Sequence, residues 1–283
     1  MNHVFVAVPT WREGSLWDKG KKDFVDTVQA QALKKLCSAR TNKTEYTLLI
    51  RSRMNTPFAT SVLAEHFDRG YPQCDWFLLF SDDQILTGED CERLIACADR
   101  YGADIIGGIV TLKNTDKAWC LAGTFGDGGL AVYYRRGMEI TDEDVLSGRT
   151  KPVEWLGGAC LIRRGVIEKF RPDRNGGLPY WAFDHWAMSY DYRFFERAKA
   201  FGLKTLLQCG VLVGHVGEEG TFDGADWQPD EKGTPRTWTF WDSPVIENKD
   251  GIFPNQCTRI LDDTPKAREQ THFREHVEGA IVG

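Results

Sequence analysis

The sequence predicts an α/β fold: a mixed, mostly parallel sheet with helices on both faces. Three observations predict it. Short apolar runs alternate with amphipathic helical stretches through the first half of the chain. Those runs are apolar at consecutive positions, as strands covered on both faces must be. The helical stretches also carry start and stop signals at the right places.

The elements follow in order. Val4 to Val8 reads as a first strand ending at Pro9-Thr10. Residues 22–37 read as a helix with Val25, Val28, Ala32 and Leu36 on one face. Tyr46 to Ile50 is a second strand. Thr56-Pro57 supplies an N-cap and first-turn pair for a helix that stops before Gly70. Trp76 to Phe80 is a buried strand by composition. Thr87 and Asp90 form a capping pair for a helix closing before Gly102, with Cys91, Leu94, Ile95 and Ala98 as its stripe. Asp104 to Val110 is a fourth strand. Further on, Trp119 to Tyr134 reads as short strands broken by glycines, 135–152 as a polar surface loop, and Glu154 to Ile162 as one strand. Residues 171–188 read as a long loop. A helix is expected from Tyr190 to Phe201, then short strands at 204–208 and 211–215.

With 283 residues, 42% hydrophobic and 27% charged, the chain suits a globular domain at 1–220 with an extension at 221–283. The net charge of −6 shows no overall basic character of the kind that duplex wrapping requires. Nucleic acid stays open as an acceptor, since bulk charge leaves a local basic groove open. No leader-like segment opens the chain, and no apolar run approaches the roughly 18 to 20 residues of a membrane helix. The eight cysteines form no CxxC pair and several lie in apolar segments. They read as reduced, mostly buried thiols, and a cytoplasmic location is expected.

Phe80-Ser81-Asp82-Asp83-Gln84 is the most informative stretch. In open α/β sheets ligands gather beyond the carboxyl ends of the strands, where this segment falls. Adjacent carboxylates repel each other unless a cation or a sugar hydroxyl stands between them. Mg²⁺ or Mn²⁺ carrying a diphosphate meets that need. Read as turn residues, the same pair only leads the chain into the next helix. Asp191 falls in the first turn of a late helix, where it either complements the helix dipole or acts as a base. His215 ends an apolar strand, where a histidine is more often a packed residue than a ligand.

Taken in order, these segments resemble the GT-A glycosyltransferases, in particular the family-two-like enzymes of bacteria and their phages. The residues that carry the resemblance are Val8-Pro9-Thr10, Leu48 to Arg53, Phe80 to Gln84, Trp155 to Ile162 with Gly157-Gly158, Tyr190-Asp191-Tyr192, Ala200 to Lys204, and Gly214 to Gly217. They span about residues 3–217. The resemblance implies a Rossmann-like sheet and transfer of a sugar from a nucleoside-diphosphate sugar to a hydroxyl, on a saccharide, a protein side chain or a hydroxymethylated base of phage DNA. It implies a donor site from Pro9, Thr10, Arg51, Arg53, Asp82, Asp83, Gly157 and Gly158. It implies Asp191 as general base in an inverting reaction, and Asp83, Gln84 and His215 around Mn²⁺ or Mg²⁺. Gln84 departs from the family's acidic pattern, because an amide is a weaker metal ligand than a carboxylate. A nucleotidyltransferase is the nearest enzymatic alternative, but Pro9-Thr10-Trp11-Arg12-Glu13-Gly14 is a poor match to its glycine-rich, basic phosphate loop. A non-catalytic sugar-nucleotide-binding module is the other alternative.

Overall fold

The computed structural model describes residues 1–10, 36, 43–52, 56–81, 84–111, 119–181 and 190–215. The first strand, β1 (Asn2–Thr10), has Val4, Val6 and Val8 on one face and Phe5 and Ala7 on the other, all fully buried. Apolar side chains on both faces are what a central strand needs. It pairs in parallel with β2 (Thr44–Ser52) on one side and β3 (Trp76–Leu79) on the other. Between them lies α1 (Thr56–Glu65), which widens into a π-helical turn over His66–Gly70.

After β3 come the short β4 (Gln84–Ile85), then α2 (Gly88–Tyr101) and β5 (Ile105–Ile109). The predicted cap of α2 is present: the Thr87 hydroxyl accepts the Asp90 N–H at 3.1 Å. Gly102 closes the helix at φ 61°, a left-handed conformation that glycine adopts without strain. The chain continues through β6 (Trp119–Phe125), β7 (Ala131–Arg135), α3 (Asp142–Ser147), β8 (Thr150–Pro152), β9 (Trp155–Leu156), β10 (Cys160–Arg163) and α4 (Arg164–Lys169). It ends in α5 (Tyr190–Ala200), β11 (Thr205–Leu212) and β12 (Gly214–His215).

The main sheet has seven strands among the described residues, in the order β2-β1-β3-β10-β5-β11-β8. The strands β2, β1, β3, β5 and β11 run parallel; β10 and β8 run against them. Helices cover both faces. Leu63 and Ala64 of α1, Val166 and Ile167 of α4, and Phe194 and Phe195 of α5 pack with Phe5, Phe77 and Ile162. Cys91, Leu94 and Ile95 of α2 pack with Val4, Val6, Leu78 and Leu161 on the other face. The fold is therefore the mixed, mostly parallel α/β arrangement that the sequence predicts.

Three local expectations are corrected. Residues 135–152 hold α3 and the edge strand β8. Thr141 forms a full capping box with Asp144, whose buried carboxylate also meets Lys151 at 2.7 Å. The segment Glu154 to Ile162 splits into β9 and β10 in different sheets, since β9 joins β6 and β7 while β10 enters the main sheet. The strands expected at 204–208 and 211–215 are largely one strand, β11, followed by the two residues of β12. Of the helix expected at 22–37 only Leu36, helical and buried, is among the described residues. The expected extension at 221–283 lies outside them.

The six described cysteines are free thiols, all buried, as expected. No helix among the described residues is long and apolar enough to cross a membrane.

Candidate functional site

The chain leaves β1 to build β2 on one side and returns to build β3 on the other. Crossovers that part in opposite directions open a crevice at the carboxyl ends of the two central strands. Here those ends are Pro9-Thr10 and Leu79-Phe80-Ser81. The Phe80 N–H still donates to Ala7 O at 3.0 Å, so the two chains separate just beyond that point. Parallel pairing sets Pro9 opposite Arg51 and Thr10 opposite Ser52. The backbones of three predicted donor residues, Pro9, Thr10 and Arg51, therefore meet at one edge. Asp82, Asp83 and Arg53 lie outside the described residues; they follow directly on Ser81 and Ser52 in the chain.

The strands β4 and β12 pair antiparallel, with Gln84 opposite His215 and Ile85 opposite Gly214. This ladder belongs to the same edge, because Val213 N–H donates to Ile109 O at 2.9 Å at the end of β5. The structure thus brings together the backbones of two predicted metal residues that are distant in sequence.

Gln84 is 2% exposed. Its Oε1 accepts the Ser81 N–H at 3.2 Å, and its own N–H donates to Ser81 O at 3.2 Å. Its amide nitrogen lies against Gly158, where an added Cβ would come within 2.8 Å of Gln84 Nε2 and 2.6 Å of Val110 Cγ2. Glycine at 158 is thus required by packing within the protein. At Gly157 an added Cβ would meet the Leu121 Cβ at 3.4 Å, an ordinary contact. The Gly157 N–H is used by Leu121 O at 2.8 Å.

Asp191 is the second residue of α5 and half-buried. Burial pushes the Cys160 thiol up, and the negative charge of Asp191 adds to that rise. Cys160 opens β10 opposite Leu79 of β3 and Gly107 of β5. Asp191 therefore lies within electrostatic reach of the start of β10.

The first turn of α5 is held by aromatic contacts. The Tyr192 ring lies 4.9 Å from Trp155 and the Tyr133 ring 4.7 Å from Trp155, both edge-on. The two tyrosine hydroxyls hydrogen-bond to each other. Burial, then that bond, then nearby Asp191 raise the Tyr192 phenol, so it stays protonated at neutral pH. Trp155 is fully buried and donates Nε1–H to Thr124 O at 3.0 Å. Sequence reasoning does not single out Tyr133. The only signal available is alternation along β7, which sets Ala131, Tyr133 and Arg135 on one face.

The Gln84 side-chain oxygen accepts the Ser81 N–H and the residue is 2% exposed, which fits a buried polar contact better than an open ligand position. Asp83 lies outside the described residues, and His215 is placed by its backbone alone, opposite Gln84. Among the described residues no group of three or more His, Cys, Asp or Glu side chains gathers around a common point.

No protein-family model matches the chain, and no curated protein matches it. Among solved structures, the chain is similar to the crystal structure of A197 from STIV, at 16% identity and a TM-score of 0.48, over 78% of this chain and 89% of that one. It is also similar to the catalytic domain of Drosophila beta1,4galactosyltransferase 7 in complex with xylobiose, at 11% identity and a TM-score of 0.37, over 74% of this chain and 65% of that one. At TM-scores below 0.5 neither likeness bears on function.

Proposed function

We propose that the chain is a glycosyltransferase that transfers a sugar from a nucleoside-diphosphate sugar to a hydroxyl acceptor. The observation that carries this reading is the topological switch point at the exit of β3, where Ser81 leads in the chain into Asp82-Asp83, on a sheet that α5, with Asp191 in its first turn, also covers. A carboxylate on a helix terminus and an acidic segment at a topological switch point supply the two things sugar transfer needs. One is a base for the acceptor proton; the other is a place to hold the charged donor.

In this reading Asp82 holds the ribose side of the donor, and the Pro9-Thr10 backbone lines the nucleotide crevice. Arg51 and Arg53 neutralise phosphate charge, and Gly157-Gly158 border the sugar. Asp83 and His215 would hold Mn²⁺ or Mg²⁺, which when bound supplies positive charge for the departing diphosphate. Asp191 accepts the proton of the acceptor hydroxyl. The test is a transfer and hydrolysis assay over a panel of nucleoside-diphosphate sugars, with product analysis. Release of nucleoside diphosphate with a glycosidic product supports the reading. Release of pyrophosphate points to nucleotidyl transfer, and binding without turnover points to a non-catalytic module.

A further inference from the structure

We infer that Gln84 is a positioning residue, the buried brace that fixes the chain on either side of Asp82 and Asp83, and that it does not ligate the metal. The inference rests on the donor-site reading above, for which Gln84 was the expected third ligand. Two hydrogen bonds join Ser81 and Gln84 across the acidic pair: Ser81 N–H to Gln84 Oε1 and Gln84 N–H to Ser81 O, each 3.2 Å. The first commits one lone pair of the Gln84 side-chain oxygen to the backbone and sets the direction in which the amide faces. At 2% exposure the amide is also withdrawn from the crevice. On its other side Gly158 leaves just the space the amide nitrogen occupies, since a Cβ there would stand 2.8 Å from Nε2. In register, Gln84 stands opposite His215, so the brace also sets where β12 presents its last residue.

This accounts for an amide at the position where the family pattern has an acid. A carboxylate in the same place could accept the Ser81 N–H, but it would bring a charge to a position that is only 2% exposed. A neutral amide accepts the same bond without that cost. Gly158 and Gln84 are then one device: the glycine makes room, and the amide fills it and ties the loop.

The ligand and brace roles predict opposite signs for Gln84→Glu. As a ligand, the change from amide to carboxylate raises Mn²⁺ affinity, roughly tenfold or more, because affinity follows ligand charge. It also leaves the metal-free melting temperature near that of the wild type. As a brace, it lowers the metal-free melting temperature and gives no gain in Mn²⁺ affinity. Gln84→Met keeps the volume and removes the bond. It is expected to stay folded, melt several degrees lower, and bind Mn²⁺ and UDP several-fold more weakly.

The experiment is thermal unfolding of the three proteins without metal, then titration with Mn²⁺ alone and with Mn²⁺ plus UDP. Tighter Mn²⁺ binding by Gln84→Glu overturns the inference. So does unchanged Mn²⁺ and UDP binding by folded Gln84→Met, because the role would then be packing alone. If the wild type binds neither probe, the donor reading fails together with the positioning role. The metal-free melting temperatures still separate a buried brace from an exposed side chain in that case.

Discussion

His215 stands directly opposite Gln84 across the β4–β12 ladder. A residue at the end of the last described strand is thereby fixed beside the acidic segment that follows β3. Its place on this edge comes from pairing, since β12 is only two residues long and has no other sheet partner among the described residues.

For the metal, Mn²⁺ is expected to support more activity than Mg²⁺, because a neutral imidazole suits Mn²⁺ better. His215→Ala should remove that preference and weaken Mn²⁺ binding in a metal titration. Full activity in excess EDTA would show that the reaction needs no metal and would leave His215 a purely structural partner of Gln84.

For the donor, Asp82→Ala should abolish nucleoside-diphosphate binding, read by calorimetry, while the melting temperature stays close to wild type. Asp82 follows directly on Ser81 in the chain, past the end of β3, and a polar side chain there is expected outside the apolar core. A folded variant with unchanged affinity would take Asp82 out of the site.

Much of the fold was legible because burial on both faces leaves a plain mark. Val4 to Val8 and Trp76 to Phe80 can be strands only in a covered sheet, and Thr87 with Gly102 bounds α2 by its own cap chemistry. The parts that were not legible are short and polar. The helix α3 is six residues of mostly acidic sequence, and it stands because Thr141 and Asp144 cap each other and Lys151 pairs with the buried Asp144. The break between β9 and β10 is a change of sheet, which no local pattern announces. In the site, the sequence placed Asp82, Asp83 and Asp191 at strand and helix ends. It had no means of showing that the Gln84 amide turns inward to Ser81 or that Gly158 exists to admit it, since both are contacts made in three dimensions.

The loop that leads towards α5 is anchored by Asp68 in the π-helical turn. This buried carboxylate takes Arg171 Nε at 2.6 Å, a second bond from Arg171 Nη2 at 2.5 Å, and the Tyr180 hydroxyl at 2.7 Å. Burial pushes its pKa up, but the bonds from Arg171 and Tyr180 and the arginine charge outweigh it and hold the carboxyl below its ordinary value. Arg171→Ala removes both arginine bonds and leaves the buried carboxylate with the Tyr180 hydroxyl and the charge of Arg164, and should destabilise the protein by about 3 kcal/mol in denaturant unfolding. Because the folded pKa is depressed, this contribution is complete above the unfolded value near pH 3.9 and is lost as pH falls through the folded value. Asp68→Asn should therefore flatten the acid limb of the stability curve, and an unchanged limb would mean that other carboxylates control it.

Asp191 carries the chemistry of the proposed reaction, and its test separates three roles. The carboxylate sits in the first turn of α5, a turn held in place by the contacts of Tyr192 with Trp155 and Tyr133. The aromatic contacts are made by the rings and hydroxyls of Tyr192, Trp155 and Tyr133, so Asp191→Asn is expected to keep the helix docked and the melting temperature near wild type. The amide has the shape of the acid without its basicity. If Asp191 accepts the acceptor proton, turnover should fall by about 10² to 10⁴ with donor affinity nearly intact, since a general base acts in the transition state and contributes little to donor binding. The measurement is kcat with saturating donor beside calorimetric donor affinity. Turnover that survives the change makes Asp191 a helix-terminus residue that only complements the dipole. A parallel fall in donor affinity assigns it to the donor site. A product that keeps the anomeric configuration of the donor removes the base role whatever the variant does, because direct displacement by a base-activated hydroxyl inverts the anomeric carbon.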